Sequence, residues 1–157
     1  MSKLGKVKIG ISVGDINGIG MEVVIKAFKD NRMMDFCTPV VYGSSKVSQF
    51  HRKALGIGDF SFNVIKSIND LNAKKPNLIE CWKEDVDMKL GESNSDGGKY
   101  ALLSLEAATK DLEEGKIDAL VTAPINKDNI QSDEFDFPGH TEYLDNKFVG
   151  ESLMLLS

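Results

Sequence analysis

Apolar positions along the chain alternate between a strand-like and a helix-like period. Lys8-Ile9-Gly10-Ile11-Ser12-Val13 is rich in β-branched residues and is bounded by Gly14, so it predicts a buried strand. Beyond a glycine-rich loop, Met21, Val24, Ile25 and Phe28 fall at i, i+3, i+4 and i+7, the stripe of a helix laid on a sheet as far as about Lys29. Val40-Val41-Tyr42-Gly43 predicts the next strand. Ser44 or Ser45 then caps a helix that presents Val47, Phe50 and Ala54 and stops near Gly56. Residues 60–90 are less regular, with short strands predicted at Phe62-Asn63-Val64-Ile65 and Leu78-Ile79-Glu80-Cys81-Trp82 on either side of a polar connection containing Pro76. After a Gly/Ser/Asn/Asp-rich loop at 91–98, Ala101, Leu105, Ala108 and Leu112 keep helical spacing up to the stop at Gly115. Asp118–Thr122 predicts a strand ended by Ala123-Pro124, because proline disfavours the helical region for the residue before it. Residues 135–139 form a turn before an amphipathic segment from Thr141 to Phe148, and Ser152–Ser157 has the pattern of one more strand.

Strands alternating with helices predict an α/β fold, a mostly parallel sheet flanked by helices, whose ligands lie outside the carboxyl ends of the strands. The apolar run that closes the chain at Ser157 has no polar tail or helix to cover it. Residues 1–157 are therefore expected to be a piece of a larger fold, with apolar surface that promotes self-association.

Composition narrows the classes. The 157 residues are 41% apolar, enough for a real core. With 19 basic and 24 acidic residues the net charge is −5, and no run of Lys and Arg stands out, so a general grip on nucleic acid is not expected. No stretch approaches the roughly 18 apolar residues of a membrane span, and the N-terminus leads into no signal core; a cytoplasmic protein is expected. Cys37 and Cys81 have no partner at C-x-x-C spacing, which predicts two reduced, structural thiols.

Three segments carry candidate chemistry. Gly14-Asp15-Ile16-Asn17-Gly18-Ile19-Gly20 lies between a strand and a helix N-terminus, where backbone N–H groups and the helix dipole favour anions. Its spacing fits neither G-x-G-x-x-G nor the P-loop. Asp15, Gly18 and Gly20 are thus either an anion cradle or the parts of a tight turn, with a glycine at positive φ and Asp15 bonding the backbone. In Thr122-Ala123-Pro124-Ile125-Asn126-Lys127 the lysine is placed to reach a phosphate or carboxylate, or else is a solvated loop residue. In Asp136-Phe137-Pro138-Gly139-His140-Thr141-Glu142 the pair His140 and Thr141 either donates two hydrogen bonds to an anionic substrate or is a loop histidine beside a plain N-cap. His51, without an acidic or metal-ligating partner at suitable spacing, reads as structural.

Taken in order, Gly14-Asp15-x-x-Gly18-Ile19-Gly20-x-Glu22, Gly91-x-Ser93-x-x-x-x-Gly98, Val121–Lys127 and Phe135–Glu142 resemble the 4-hydroxythreonine-4-phosphate dehydrogenase family. The first motif departs from the family pattern, which has Pro-Ala and a later Pro where this chain has Ile16, Asn17 and Met21; without the prolines the loop has lost a source of stiffness. The resemblance implies a chain of about twice this length with the two-domain α/β fold of isocitrate and isopropylmalate dehydrogenases. Residues 1–157 then form the first α/β domain and the start of the second. It implies a homodimer that oxidises the small phosphorylated substrate 4-phosphooxy-L-threonine with NAD or NADP, followed by decarboxylation, on the way to pyridoxal phosphate. It also implies a divalent metal acting as a Lewis acid, with its three histidine ligands downstream of Ser157, so that this chain alone is expected to be inactive. His140 and Thr141 match the family's substrate-contacting pair. Two other readings stay open: a paralogue acting on another phosphorylated four-carbon acid or a diol, and a non-catalytic anion-binding module.

Overall fold

The computed structural model describes residues 5–150 together with Ser152, Leu153 and Leu155. Five parallel strands form one sheet in the order β3-β4-β2-β1-β5: β1 (Val7–Ser12), β2 (Cys37–Gly43), β3 (Asn63–Ile65), β4 (Asn77–Glu80) and β5 (Ala119–Thr122). The helices are α1 (Gly20–Lys29), the single turn α2 (Met33–Phe36), α3 (Ser45–Ala54), α4 (Ser95–Glu113) and α5 (His140–Lys147). The predicted α/β fold with a parallel sheet is what forms.

β2 lies mid-sheet, between β4 and β1, and every one of its residues is buried, as a strand covered on both faces must be. Its alternate side chains serve two cores. Val41 joins Ile11 and Leu78 against Met21, Val24, Ile25 and Phe28 of α1 and Val47 of α3. Val40 and Tyr42 pack instead with Ala108 of α4 and Ile117. Ser104 then ties α4 to the sheet where two strands end: its hydroxyl donates to the Tyr42 carbonyl at 2.6 Å and accepts from the Val13 N–H at 2.9 Å. A buried hydroxyl with both bonds made fixes the depth of the helix as well as its face.

Several boundaries move. β2 begins at Cys37, three residues before the predicted start, and passes through Pro39. A proline is tolerated there because β4 pairs with β2 only from Val40 onward, so Pro39 lies beyond the ladder on that side. α2 was not signalled. β4 stops at Glu80, leaving Cys81 and Trp82 outside it. The predicted strand at 152–157 is corrected: Ser152, Leu153 and Leu155 are exposed and carry no regular structure, since no strand pairs with them among the described residues, and the rest of that segment lies outside them.

Both cysteines are free thiols. Burial raises the pKa of Cys37, and it pushes Cys81 up to about 12, with Glu80 and Asp111 adding to the shift. At pH 8 both thiols should stay protonated and react slowly with iodoacetamide, then become fully alkylated in denaturant. Rapid labelling of native protein would contradict this burial.

Candidate functional site at the switch point of the sheet

From β1 the chain moves outward through β2 toward β3 and β4, then returns across α4 to place β5 on the other side of β1. Strand order therefore reverses at β1, and the crevice at the carboxyl ends of β1 and β5 is where an open α/β sheet offers a ligand site. A crevice of about 320 Å³ lies there, walled by three loops: Asp15–Ile19 after β1, Gly91–Ser93 before α4, and Pro124–Asn126 after β5. Three sequence motifs about a hundred residues apart at their extremes are thus brought together.

The loop after β1 is braced from within and without. Gly14 has φ +67, and a side chain at that position would strike the Pro124 carbonyl. Asp15 is 7% exposed; its N–H donates to the Pro124 carbonyl at 3.0 Å, Oδ1 accepts from the Asn17 N–H at 2.8 Å and Oδ2 from Asn129 Nδ2 at 2.9 Å. The Gly18 N–H donates back to the Asp15 carbonyl at 3.0 Å. His51, 3% exposed on α3, bonds the Ile16 carbonyl through Nε2 at 2.8 Å. The tight-turn alternative therefore describes Asp15 better than the anion cradle does, since both of its oxygens are occupied and the amides of Asn17 and Gly18 are bonded inside the loop. Gly20 is a packing glycine: a Cβ there would meet the Val13 carbonyl. Gly18 lines the crevice. His51 is structural, as expected, but what it holds is the loop of the site.

α4 supplies the second wall through two glycines at its start. A Cβ on Gly97 would sit 2.5 Å from Asp15 Oδ1, and one on Gly98 would overlap the backbone of Asn129. Only a side-chain-free turn lets α4 enter between the β1 and β5 loops. Asn94 caps the helix, its Oδ1 accepting from the Gly97 N–H at 2.9 Å. Asn126 closes the third side by donating to Ser93 Oγ at 3.0 Å while its own Oδ1 accepts from the Asp128 N–H at 3.0 Å.

The next residue, Lys127, reaches the fourth motif. It is exposed, has no ion pair among the described residues, and its Cε would lie 3.8 Å from a Cβ placed on Gly139. Gly139 is the N-cap of α5 and makes no side-chain cap bond, so His140 and Thr141 are the first and second helical residues. The alternative in which Thr141 is a plain N-cap is not what forms: the cap lies two residues earlier, at Gly139. Thr141 is exposed, and its hydroxyl is not needed to start the helix. His140 is half-buried; its Nε2 is shielded and has no partner among the described residues. Burial holds its pKa below the ordinary imidazole value, so the ring is neutral at pH 7. Behind it, Phe135, Phe137 and Tyr143 pack ring on ring, with centroids 5.4–5.5 Å apart, and hold the turn against α4 through Ala101, Leu102 and Leu105.

The sequence model of the family described as pyridoxal phosphate biosynthetic protein PdxA matches residues 35–157. The chain belongs to the PdxA family. A PdxA relative from Bacteroides thetaiotaomicron, a 4-hydroxythreonine-4-phosphate dehydrogenase, is 43% identical over 153 residues, covering 96% of this chain and 42% of its own length. One from Oceanobacillus iheyensis, provisionally named a D-threonate 4-phosphate dehydrogenase, is 35% identical over 139 residues, 87% of this chain and 42% of the relative. Among solved structures, the 4-hydroxythreonine-4-phosphate dehydrogenase of Burkholderia phymatum superposes with a TM-score of 0.83 at 28% identity, over 91% of this chain and 44% of that one. The chain thus spans less than half the length of the PdxA relatives it matches.

Sequence reading named Asp15, Gly18, Gly20, Lys127, His140 and Thr141; it did not single out Asn17, Ser93, Asn94, Asn126 or Asn129. The last five act through side-chain bonds between distant loops, and asparagine in a glycine-rich loop was the available signal. No helix among the described residues is long and apolar enough to cross a membrane. Nor do three His, Cys, Asp or Glu residues cluster among them to hold a metal ion. The described residues do not fit a divalent-metal site, and no step below passes through one.

Proposed function

We propose that this chain supplies the substrate-anion side of the active centre of a 4-hydroxythreonine-4-phosphate dehydrogenase that serves pyridoxal phosphate biosynthesis. The observation that carries the reading is the meeting of Lys127 with the start of α5, where the neutral His140 has a shielded nitrogen with no partner. In this reading the secondary alcohol of 4-phosphooxy-L-threonine would be oxidised at the expense of NAD or NADP, which would supply the hydride acceptor while the hydroxyl proton goes to solvent, and the resulting β-keto acid would lose carbon dioxide. A homodimer and a divalent metal held by residues outside the described ones belong to the same proposal.

What the chain's own residues do follows from their chemistry. His140, as a neutral imidazole, has one ring N–H to donate to an anionic oxygen of the substrate without bringing a charge that would have to be desolvated, and its Nε2 becomes available for this only when the turn at the start of α5 moves to uncover it. The Thr141 hydroxyl is free to add a second bond, and the N-terminus of α5 contributes partial positive charge. Glu142 places a carboxylate in the same turn, closer to Gly139 than Lys127 is, so Lys127 offsets that charge and the helix N-terminus with the His140 and Thr141 donors is what favours an anion. The crevice of about 320 Å³ ends at Asn126, the residue before Lys127, while Thr141 lines a separate pocket along α5; at the lower end of the roughly 300–1,000 Å³ of small-molecule sites, the crevice suits a compact phosphorylated acid better than a whole dinucleotide.

The Oceanobacillus relative favours one second reading, a D-threonate 4-phosphate substrate, since the residues that meet here recognise an anion and leave the rest of the substrate open. Comparing the two phosphorylated substrates in a chain extended to the relatives' full length decides between them. A kcat/KM at least tenfold higher for 4-phosphooxy-L-threonine is expected; the reverse order gives the second reading, and no reduction of NAD or NADP with either leaves the anion-binding module. The 157-residue chain alone should produce no NADH with either substrate, and NADH formation by it would refute the division of the active centre proposed here.

A further inference from the structure

Asn17 is 2% exposed, yet none of its polar bonds serves the apolar core. Its Nδ2 donates to Asn94 Oδ1 at 2.9 Å, its Oδ1 accepts from the Lys89 N–H at 2.8 Å, its carbonyl accepts from the Gly91 N–H at 2.9 Å, and its own N–H goes to Asp15 Oδ1 at 2.8 Å. Three of the four bonds therefore run to one segment, residues 89–94, which continues into the crevice wall of Gly91, Glu92 and Ser93. That segment has little else to hold it. Lys89, Leu90 and Glu92 belong to no helix or strand, Leu90 is 46% exposed, and Gly91 has φ +81.

We propose that Asn17 is a positioning residue, a polar latch that holds the 89–94 wall against the loop after β1 and keeps the crevice preformed. The chemistry fits the residue type: only an amide side chain of this length offers a donor to Asn94 and an acceptor to Lys89 at once. Asn94 Oδ1 also accepts from the Gly97 N–H, so the cap of α4 and the latch share one oxygen, and the latch can be released while the helix stays capped. Where the family pattern stiffens this loop with proline, acting on the unfolded chain, the latch acts only in the folded state and ties two loops instead of one. The latch rests on the hydrogen bonds alone; its effect on substrate rests on the function proposed above.

Amide hydrogen exchange on the 157-residue chain tests the latch directly. Asn17→Ala should speed exchange at Lys89, whose N–H loses its side-chain acceptor, about five- to tenfold, the loss of one net hydrogen bond, while the amides in the middle of α4 keep their rates; Gly91, bonded to the main-chain carbonyl that alanine keeps, should change less. Uniform acceleration through the chain would show that Asn17 is a general structural residue, and an unchanged rate at Lys89 would show that it holds nothing; either result overturns the proposal. If Asn17→Ala does not fold, Asn94→Ser provides the second variant. Serine still caps α4 but is too short to share its oxygen with Asn17, so faster exchange confined to 89–92 supports the latch and its absence overturns it. In a chain of the relatives' full length, Asn17→Ala should raise KM for the phosphorylated substrate about tenfold with kcat within about twofold. Local exchange without that KM change keeps the latch and removes the crevice from the substrate site.

Discussion

Replacing His140 with Ala in a chain of the relatives' full length is expected to lower kcat/KM by about ten- to more than a hundredfold and to leave the melting temperature nearly unchanged. A hydrogen bond to a charged group is worth roughly 1.5–3 kcal/mol, which sets that range. The fold should not notice the loss, because Nε2 makes no bond among the described residues and the aromatic packing of the turn belongs to Phe135, Phe137 and Tyr143. The pH dependence adds an independent check. Burial depresses the folded-state pKa of His140 below the ordinary imidazole value of 6.5. Its neutral state is therefore fully favourable to folding above about pH 6.5, and that contribution is lost as pH falls below this value, because the unfolded chain then binds the proton more readily. His140→Ala should flatten this part of the stability profile below about pH 6.5. A lower melting temperature with intact kinetics would assign His140 to the fold and remove it from the site.

Gly98→Ala is expected to be strongly damaging for a single-methyl change at the site. A Cβ at Gly98 would overlap the carbonyl and the following amide around Asn129, and backbone cannot step aside as a side chain can. Overpacking of this kind costs about 1–3 kcal/mol or more, and relief requires α4 to retreat from the loop after β5, which widens the crevice. Gly115→Ala is the control. That glycine ends α4 at φ +66 with open space around it, so its substitution should cost only the roughly 1–2 kcal/mol of the left-handed conformation and leave the site unaltered. Melting curves of the two variants, with amide exchange at Asn129 and Ile130, separate the outcomes; equal loss with no change at those amides would mean that the close approach is not what Gly98 provides.

The layers of the fold were legible because periodicity encodes which face of an element is buried. The stripe Met21, Val24, Ile25 and Phe28 predicted α1, and all four residues pack where the stripe points. Pro39 hid the first half of β2, since a proline argues against a central strand unless the neighbouring ladder begins after it, and ladder length is not written locally. The cap of α5 lies two residues before Thr141, the better N-cap by type, because the chain caps with Gly139 and leaves the hydroxyl exposed. All three anion candidates were read from motifs; Lys127 lies beside the His140 turn, while Asp15 spends both carboxylate oxygens bracing the loop. The asparagine bonds that shape the crevice left no periodic trace. They join residues 77 and 114 positions apart, and pairings of that kind become visible only once the sheet order is known.

That sheet order also sets when the crevice can exist during folding. β1 pairs with β2 from Val7 to Cys37, a separation of 37 − 7 = 30 residues, but with β5 from Ile9 to Ala119, a separation of 119 − 9 = 110. Closing the longer loop costs about 1 kcal/mol more chain entropy than closing the shorter one, and long-range parallel pairing is slow for the same reason. The strands on the β2 side of β1 can assemble as the chain emerges, whereas the crevice needs β5 in place and has no local precursor. A nascent chain that ends before residue 119 therefore carries most of the sheet and none of the site.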